Sequence, residues 1–289
     1  MAEVYANNSV AVLAGISLPY AYYYYSVPSS SATTVWNTVG ADGTTSGDDI
    51  AGESAERPLH IILGHGLGAK NPASTGYMDD KWITLVAEHA HASGLQPVVY
   101  TARGHKDSYG WQDAAESDLD QFTWRRLSDD MFSLSTLHLG LNRFVVGGSS
   151  MGSATALFCV MRNPSENFKG LIMVRPPTAW ETRRARRKFL LSSAKKCQQA
   201  NPEGDASHWV LRGAADADLP SVTENTHETY AKVTCPTLIL AVRHDEAHPV
   251  ETAEALHAVL PQSVLHIAED LNEAWDKWPA VIREFTSGL

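Results

Sequence analysis

Short apolar runs alternate along this chain with longer stretches in which apolar side chains return at helical spacing; the first pattern marks strands, the second helices. Near the start, Ser9–Leu13 and Ile16–Ser26, separated by Ala14-Gly15, predict a β-hairpin, and the Tyr22–Tyr25 run is β-favouring. From Pro28 to Glu56 Ser, Thr, Gly and Asp dominate, which predicts a long irregular connection with at most a short strand over Thr34–Trp36. Buried strands are predicted at His60–Leu63 and Phe144–Val146, and further strands at Gln96–Thr101, Leu171–Val174, Thr237–Val242 and Val264–Ile267. Between them Trp82, Ile83, Val86 and Ala90 form one amphipathic helical face, stopped at Gly94, and Trp124, Leu127, Met131 and Leu134 form a second, ending near Gly140. Pro249–Leu260 predicts a further helix, and Trp278, Ile282 and Phe285 line a closing one. From residue 60 onward strand and helix alternate, the pattern of a parallel sheet covered on both faces. Thr178 to Lys232 breaks that rhythm with helical patterns alone. The expected organisation is an α/β core over 1–177 and 233–289, with an irregular surface insertion at 27–57 and a helical cap at 178–232.

The most informative stretch is Arg143–Leu157, RFVVGGSSMGSATAL. A short strand over Phe144–Val146 runs into Gly148-Ser149-Ser150-Met151-Gly152, and a helix opens at once. Strand, glycine-flanked serine and helix, with the spacing G-x-S-x-G, are the parts of a nucleophile elbow. The turn is tight, so a side chain at Gly148 or Gly152 would collide with neighbouring backbone. Such a turn lifts Ser150 Oγ above the sheet edge and sets the helix N-terminus behind it, where the Met151 N–H faces a developing oxyanion. Ser150 is the candidate nucleophile.

Composition narrows the field. The 289 residues carry 23 basic and 33 acidic side chains, a net charge of −10, which disfavours nucleic acid or an anionic membrane surface as the main partner. Residues 9 to 25 are fairly apolar, but Pro19 interrupts them and no basic residue precedes them, which argues against a signal peptide or a membrane span. Cys159, Cys197 and Cys235 are far apart and odd in number, so a reducing, cytoplasmic setting is expected. They have no metal-ligand spacing, and no G-x-G-x-x-G follows a strand. Neither a metal nor an organic cofactor is therefore expected.

With these pieces placed, nearly the whole chain resembles the α/β-hydrolase fold. The resemblance rests on His65-Gly66-Leu67-Gly68 after the first parallel strand, Arg103-Gly104-His105 with Ser108 after the next, the elbow at Ser150, and Asp245 after the strand ending at Val242. Two further stretches, Arg175-Pro176-Pro177-Thr178-Ala179-Trp180-Glu181 and Asp245-Glu246-Ala247-His248-Pro249, look like a branch of bacterial-type α/β hydrolases. The resemblance implies that Ser150 is the nucleophile, that the N–H groups of Met151 and Leu67 form the oxyanion hole, and that Asp245 orients a histidine. His65 would brace the oxyanion loop and form part of the substrate-side wall. Trp180, with Trp209 and Phe189, would line an acyl pocket in the cap, and the basic run from Arg183 to Lys188 would be a solvated helix face.

The chain departs from the family at the base. The catalytic histidine of this fold usually follows the last strand, but that loop here is Glu269-Asp270-Leu271-Asn272-Glu273, and no histidine follows His266. His248, three residues after Asp245, is the nearest candidate, with Asp245 or Asp270 as the carboxylate that fixes its tautomer. His105 and His244 are weaker candidates. The expected function is hydrolysis of an ester, thioester or lactone of a small to medium organic acid. The alternative is a catalytically impaired member of the fold that binds a small molecule or a protein partner.

Overall fold

The computed structural model describes residues 4–13, 16–25, 38–39, 45–46, 58–67, 80–105, 116–177, 180–200, 207–215, 222 and 226–289. An eight-stranded sheet runs through them. Its strands are β1 (Val4–Leu13), β2 (Ile16–Tyr25), β3 (His60–Gly64), β4 (Gln96–Tyr100), β5 (Phe144–Ser149), β6 (Phe168–Val174), β7 (Thr237–Val242) and β8 (Ser263–Ala268). Their order across the sheet is β1-β2-β4-β3-β5-β6-β7-β8. The hairpin β1–β2 is antiparallel and joins β4 antiparallel through Tyr22 opposite Tyr100; the six strands from β4 to β8 are parallel. The hairpin starts earlier than the alternation suggests, at Val4 rather than Ser9. A two-residue ribbon, Thr38–Val39 with Thr45–Ser46, lies within the predicted 27–57 insertion; Thr34–Trp36 falls outside the described residues.

Alternation along the parallel strands divides the core in two. Ile62, Phe144, Val146, Leu171, Met173, Ile239 and Ala241 face one layer, while Ile61, Leu63, Val145, Ile172, Val174, Leu238 and Leu240 face the other. Strands covered on both faces must be apolar at every position, which is why they read as unbroken runs. The first layer is closed by α2 (Trp124–Ser133), α3 (Met151–Arg162) and α8 (Val250–Val259), the second by α1 (Lys81–Ala92) and α9 (Leu271–Ser287). Each fully buried large apolar side chain contributes roughly 1.5–3 kcal/mol. The sheet is thus clamped from both sides.

Helix ends follow their local sequence. Asp80 caps α1 by accepting from the N–H groups of Trp82 and Ile83, and Gly94, at φ 91°, follows its C-terminus. The helical stretch predicted to reach Gly140 is α-helical only to Ser133 and continues as a π-helical turn over Leu134–His138. There Ser135 and Thr136 donate their hydroxyls back to the Met131 and Phe132 carbonyls, a competition that loosens the ladder. Ahead of α2, a 3-10 helix over Glu116–Phe122 carries no periodicity that the sequence reading registers.

Between β6 and β7 the described residues form α4 (Trp180–Ala185), α5 (Arg187–Ala200), α6 (Ser207–Gly213) and α7 (Thr226–Tyr230). Gly213 sits hard against the 3-10 helix: a Cβ there would lie 2.7 Å from the Phe122 backbone. Leu190, Ala194, Leu211 and Ala215 form a small cluster of their own, and Leu67, from the loop after β3, packs against both it and the main core. That loop is the floor on which the helices rest.

Candidate active site

Strand order reverses on either side of β3, and in open α/β sheets ligands bind outside the carboxyl ends of the strands at such a point. The loop after β3 and the turn after β5 meet there. Ser150 has φ 50° and ψ −111°, a conformation an L-residue adopts only under constraint. The constraint is visible: the Ser150 N–H donates to Val174 O at 2.9 Å, and the Gly152 N–H donates to His65 O at 3.1 Å. A Cβ on Gly152 would fall 1.9 Å from Gly64 O, and one on Gly148 would fall 2.3 Å from the Gly152 carbonyl carbon. Only glycine fits at either place.

Ser150 occupies the N-cap position of α3, yet its side chain makes no capping bond. Its hydroxyl points instead to His248, with Oγ 2.8 Å from Nε2. On the other side of the ring, Nδ1 is 2.9 Å from Asp245 Oδ2. A carboxylate only accepts, so Nδ1 carries the proton and Nε2 is left to accept from the serine hydroxyl. The three side chains that the sequence reading singled out are therefore in one hydrogen-bonded line. Asp245 and His248 share a single turn ahead of α8, closed by the His248 N–H donating to Asp245 O at 3.1 Å and the Ala247 N–H donating to Asp245 Oδ1 at 3.1 Å.

The carboxylate has a further partner that the sequence reading did not identify. Arg175, directly after β6, donates from Nε to Asp245 Oδ2 at 2.9 Å and from Nη2 to the same oxygen. Partial burial by itself would raise the Asp245 pKa, but the hydrogen bonds and charges of His248 and Arg175 outweigh it and hold the carboxyl well below the usual range. Only the position of Arg175, at the end of a strand that neighbours the elbow strand, hinted at such a role in the sequence.

The remaining histidines and Asp270 are placed elsewhere. His65 is fully buried: its Nε2 accepts from the Ala102 N–H at 3.0 Å, so its Nδ1 carries the proton and donates to Gly66 O at 2.9 Å. Both nitrogens are spent on backbone, and the ring ties the loop after β3 to the loop after β4. Burial, and then the neighbouring His105, push its pKa down to about 3. His105 is also buried, edge-on to His65, with its Nδ1 on Arg103 O. His244 and His266 are exposed. Asp270 caps α9 through the Glu273 N–H at 2.9 Å, while Glu273 reaches back to the Glu269 N–H at 2.6 Å. Only Glu269 and Asp270 separate β8 from α9, so the connection is too short and too occupied to carry a base.

On its helix side the serine is bordered by backbone. In the first turn of α3 the Gly152 N–H goes to His65 O, and those of Ser153 and Ala154 go to Ser150 O. Met151, next to Ser150, supplies the remaining N–H of that turn. The Gly66 loop lies close by, since a Cβ on Gly66 would be 3.4 Å from Ser150 Cβ. Asp80 Oδ2 fixes this loop by accepting the Gly66 N–H at 2.7 Å, while its Oδ1 caps α1. Leu67 is the last described residue of the loop; Gly68 and Ser108 lie outside the described residues.

Among the cap aromatics, Trp180 is buried and packs in the main core, and its indole N–H has no acceptor among the described residues. Phe189 is 59% exposed with Arg186 over its ring, so it faces water instead of lining an acyl pocket. The side chain of Trp209 is outside the described residues. The basic run is solvated at Arg184, Arg187 and Lys188, but Arg183 is buried over Trp124 and donates to Ala214 O. An open hollow of about 440 Å³ lies between the turn that carries Asp245 and the β8–α9 connection, with Arg243, Glu246 and Asp270 among its walls.

No protein-family model matches the chain, and no curated protein matches it in sequence. Solved structures do. A thermophilic esterase from Thermogutta terrifontis is similar with a TM-score of 0.61 at 18% identity, covering 97% of each chain. An esterase from Exiguobacterium antarcticum gives 0.59 at 17% identity, over 79% of this chain and 91% of its own. The enol-lactonase from Burkholderia xenovorans LB400 gives 0.54 at 15% identity, over 81% of this chain and 93% of its own. The chain has the α/β-hydrolase fold, a mostly parallel sheet flanked by helices.

Proposed function

We propose that this chain is a serine hydrolase that cleaves an ester, thioester or lactone of a small to medium organic acid through an acyl-enzyme on Ser150. The observation that carries the reading is the line from Ser150 Oγ through His248 to Asp245, with contacts of 2.8 and 2.9 Å. In this mechanism Ser150 gives its proton to His248 Nε2 and attacks the carbonyl carbon. Negative charge gathers on the carbonyl oxygen, which the N–H groups of Met151 and Leu67 stabilise. Asp245 holds the imidazole in the required tautomer and stabilises the imidazolium. As the tetrahedral adduct collapses, His248 returns its proton to the leaving oxygen or sulfur. Water, deprotonated by the same Nε2, then releases the acid and restores the serine.

The ester and lactone chemistry named for the similar structures supports this substrate class. A small-molecule substrate suits a site whose Leu67 loop packs against the helices between β6 and β7. Among the described residues no helix is long and apolar enough to cross a membrane. The three cysteines are free thiols, which supports placing the protein in a reducing compartment, the cytoplasm. The alternative of an impaired binder drew its motive from a missing base; the contact of 2.8 Å between His248 Nε2 and Ser150 Oγ supports His248 in that role.

A fluorophosphonate probe followed by a chain-length panel of p-nitrophenyl esters tests the reading. Ser150 should be the labelled residue, and Ser150→Ala should lower kcat roughly 10³-fold or more. His248→Ala should remove most of the turnover as well. Near wild-type turnover in purified Ser150→Ala would end the assignment.

A further inference from the structure

We infer that Arg175 is a positioning residue of the catalytic line, tying the acid–base turn to the strand that anchors Ser150. The inference rests on the reading of Ser150 as nucleophile and names a residue that reading does not require. Asp245 and His248 lie on one turn, and the bonds that shape the turn, from Ala247 N–H and His248 N–H to Asp245, are internal to it. Those bonds preserve its shape without fixing where it stands relative to the elbow. Were the turn to swing, acid and base would leave the serine together.

Arg175 supplies an external tie. The residue before it, Val174, accepts the Ser150 N–H at 2.9 Å, and the Arg175 N–H donates to Leu240 O at 2.7 Å. Its backbone is thus held between the elbow strand and β7. From that point the guanidinium reaches Asp245 Oδ2, the same oxygen that receives His248 Nδ1. The contacts close a ring: Ser150 to Val174 through backbone, Arg175 to Asp245, Asp245 to His248, and His248 to Ser150.

Two observations show that this side chain is placed for its contact. Arg175 has φ 51°, a left-handed backbone that glycine would adopt with less strain. Its guanidinium also lies over the Trp82 ring, 5.2 Å from the centroid, and Trp82 is itself stacked on Trp275 at 4.6 Å. The head group is seated against a layered aromatic support before it meets the carboxylate.

The experiment compares wild type, Ser150→Ala, Arg175→Gly and Arg175→Met by fluorophosphonate labelling rate and by kcat and KM on p-nitrophenyl acetate. Arg175→Gly suits the left-handed backbone, and Arg175→Met keeps a side chain against Trp82, so each removes the donors by a different route. Misplacing reacting groups by an ångström costs about 10²-fold, so labelling and kcat should both fall roughly that far, with KM within about threefold of wild type. Low millimolar guanidinium ion should restore part of the rate in Arg175→Gly, which a merely structural loss would not allow. A folded Arg175→Gly or Arg175→Met that reacts at the wild-type rate, or faster, overturns the inference while leaving Ser150 as nucleophile. Loss of the native near-UV spectrum in both variants overturns it too, because the role would then be structural. Wild type that fails to label at Ser150 is a separate result: it removes the underlying reading, and the positioning role with it.

Discussion

Ser150 stands in a backbone conformation that costs of order 1–3 kcal/mol for a residue with a side chain, and it forgoes the capping bond that serine commonly makes at a helix start. Both costs follow from aiming one hydroxyl at His248. Ser150→Gly should therefore raise stability by about 1 kcal/mol while abolishing probe labelling, with thermal melting and labelling measured on the same preparation. A lower melting temperature for the glycine variant would show that the φ of 50° is not stored strain. The glycines on either side were legible in the sequence because their chemistry is local: the spacing G-x-S-x-G defines the turn. The Arg175 contact was not, since it joins residues 70 positions apart and neither carries a mark of the other.

The loops that border the site are held by side chains with no part in the proposed chemistry. Asp80 joins the loop after β3 to α1, and His65 joins it to the loop after β4. His65 must be neutral to accept from the Ala102 N–H, and its folded pKa of about 3 lies below the ordinary 6.5. With the folded value depressed for a base, the unfolded chain binds the proton first. Its contribution is complete above about pH 6.5 and declines as pH falls toward 3, by roughly 1.4 kcal/mol per pH unit at the steepest. Urea midpoints measured across that window should show a shallower acid slope in His65→Gln, which cannot titrate. Equal slopes would place the acid sensitivity elsewhere. Strands inside the parallel sheet were readable because burial on both faces leaves unbroken apolar runs, and Thr237–Val242 matches its expected limits, whereas the edge strand β8 exposes Val264 and His266. The π-helical turn at Leu134–His138 was not readable, because it arises from hydroxyl-to-carbonyl bonds that leave the apolar spacing unchanged. Nor was the burial of Arg183, which depends on Trp124 lying beneath it from another part of the chain.

Across the whole molecule the proposed reacting groups lie at the sheet's carboxyl edge, and the helices between β6 and β7 pack against Leu67 in the loop that borders them. This arrangement predicts a division between reactivity and choice of substrate. Trp180→Phe keeps a buried aromatic ring but removes the indole N–H together with part of the bicycle, so it should change KM or chain-length preference, with some loss of stability, while a small fluorophosphonate still labels Ser150 within about threefold of the wild-type rate. Loss of labelling in a folded Trp180→Phe would show that the cap takes part in activating the serine. A broader consequence follows if the proposed acid and base share the turn Asp245–His248. A hydrolase that carries its base after the last strand has its chemistry spread over two loops, and any insertion or deletion in either one puts the reaction out of register. Here the β8–α9 connection is relieved of that duty, and the hollow beside it has room for more chain. Length variation at that connection becomes nearly silent, so two glycines inserted between Glu269 and Asp270 should leave turnover almost unchanged. The same insertion between Asp245 and His248 should erase it. With the proposed acid and base on one turn, the sensitivity that two loops would share falls on four residues, and the neighbouring loop is free to vary.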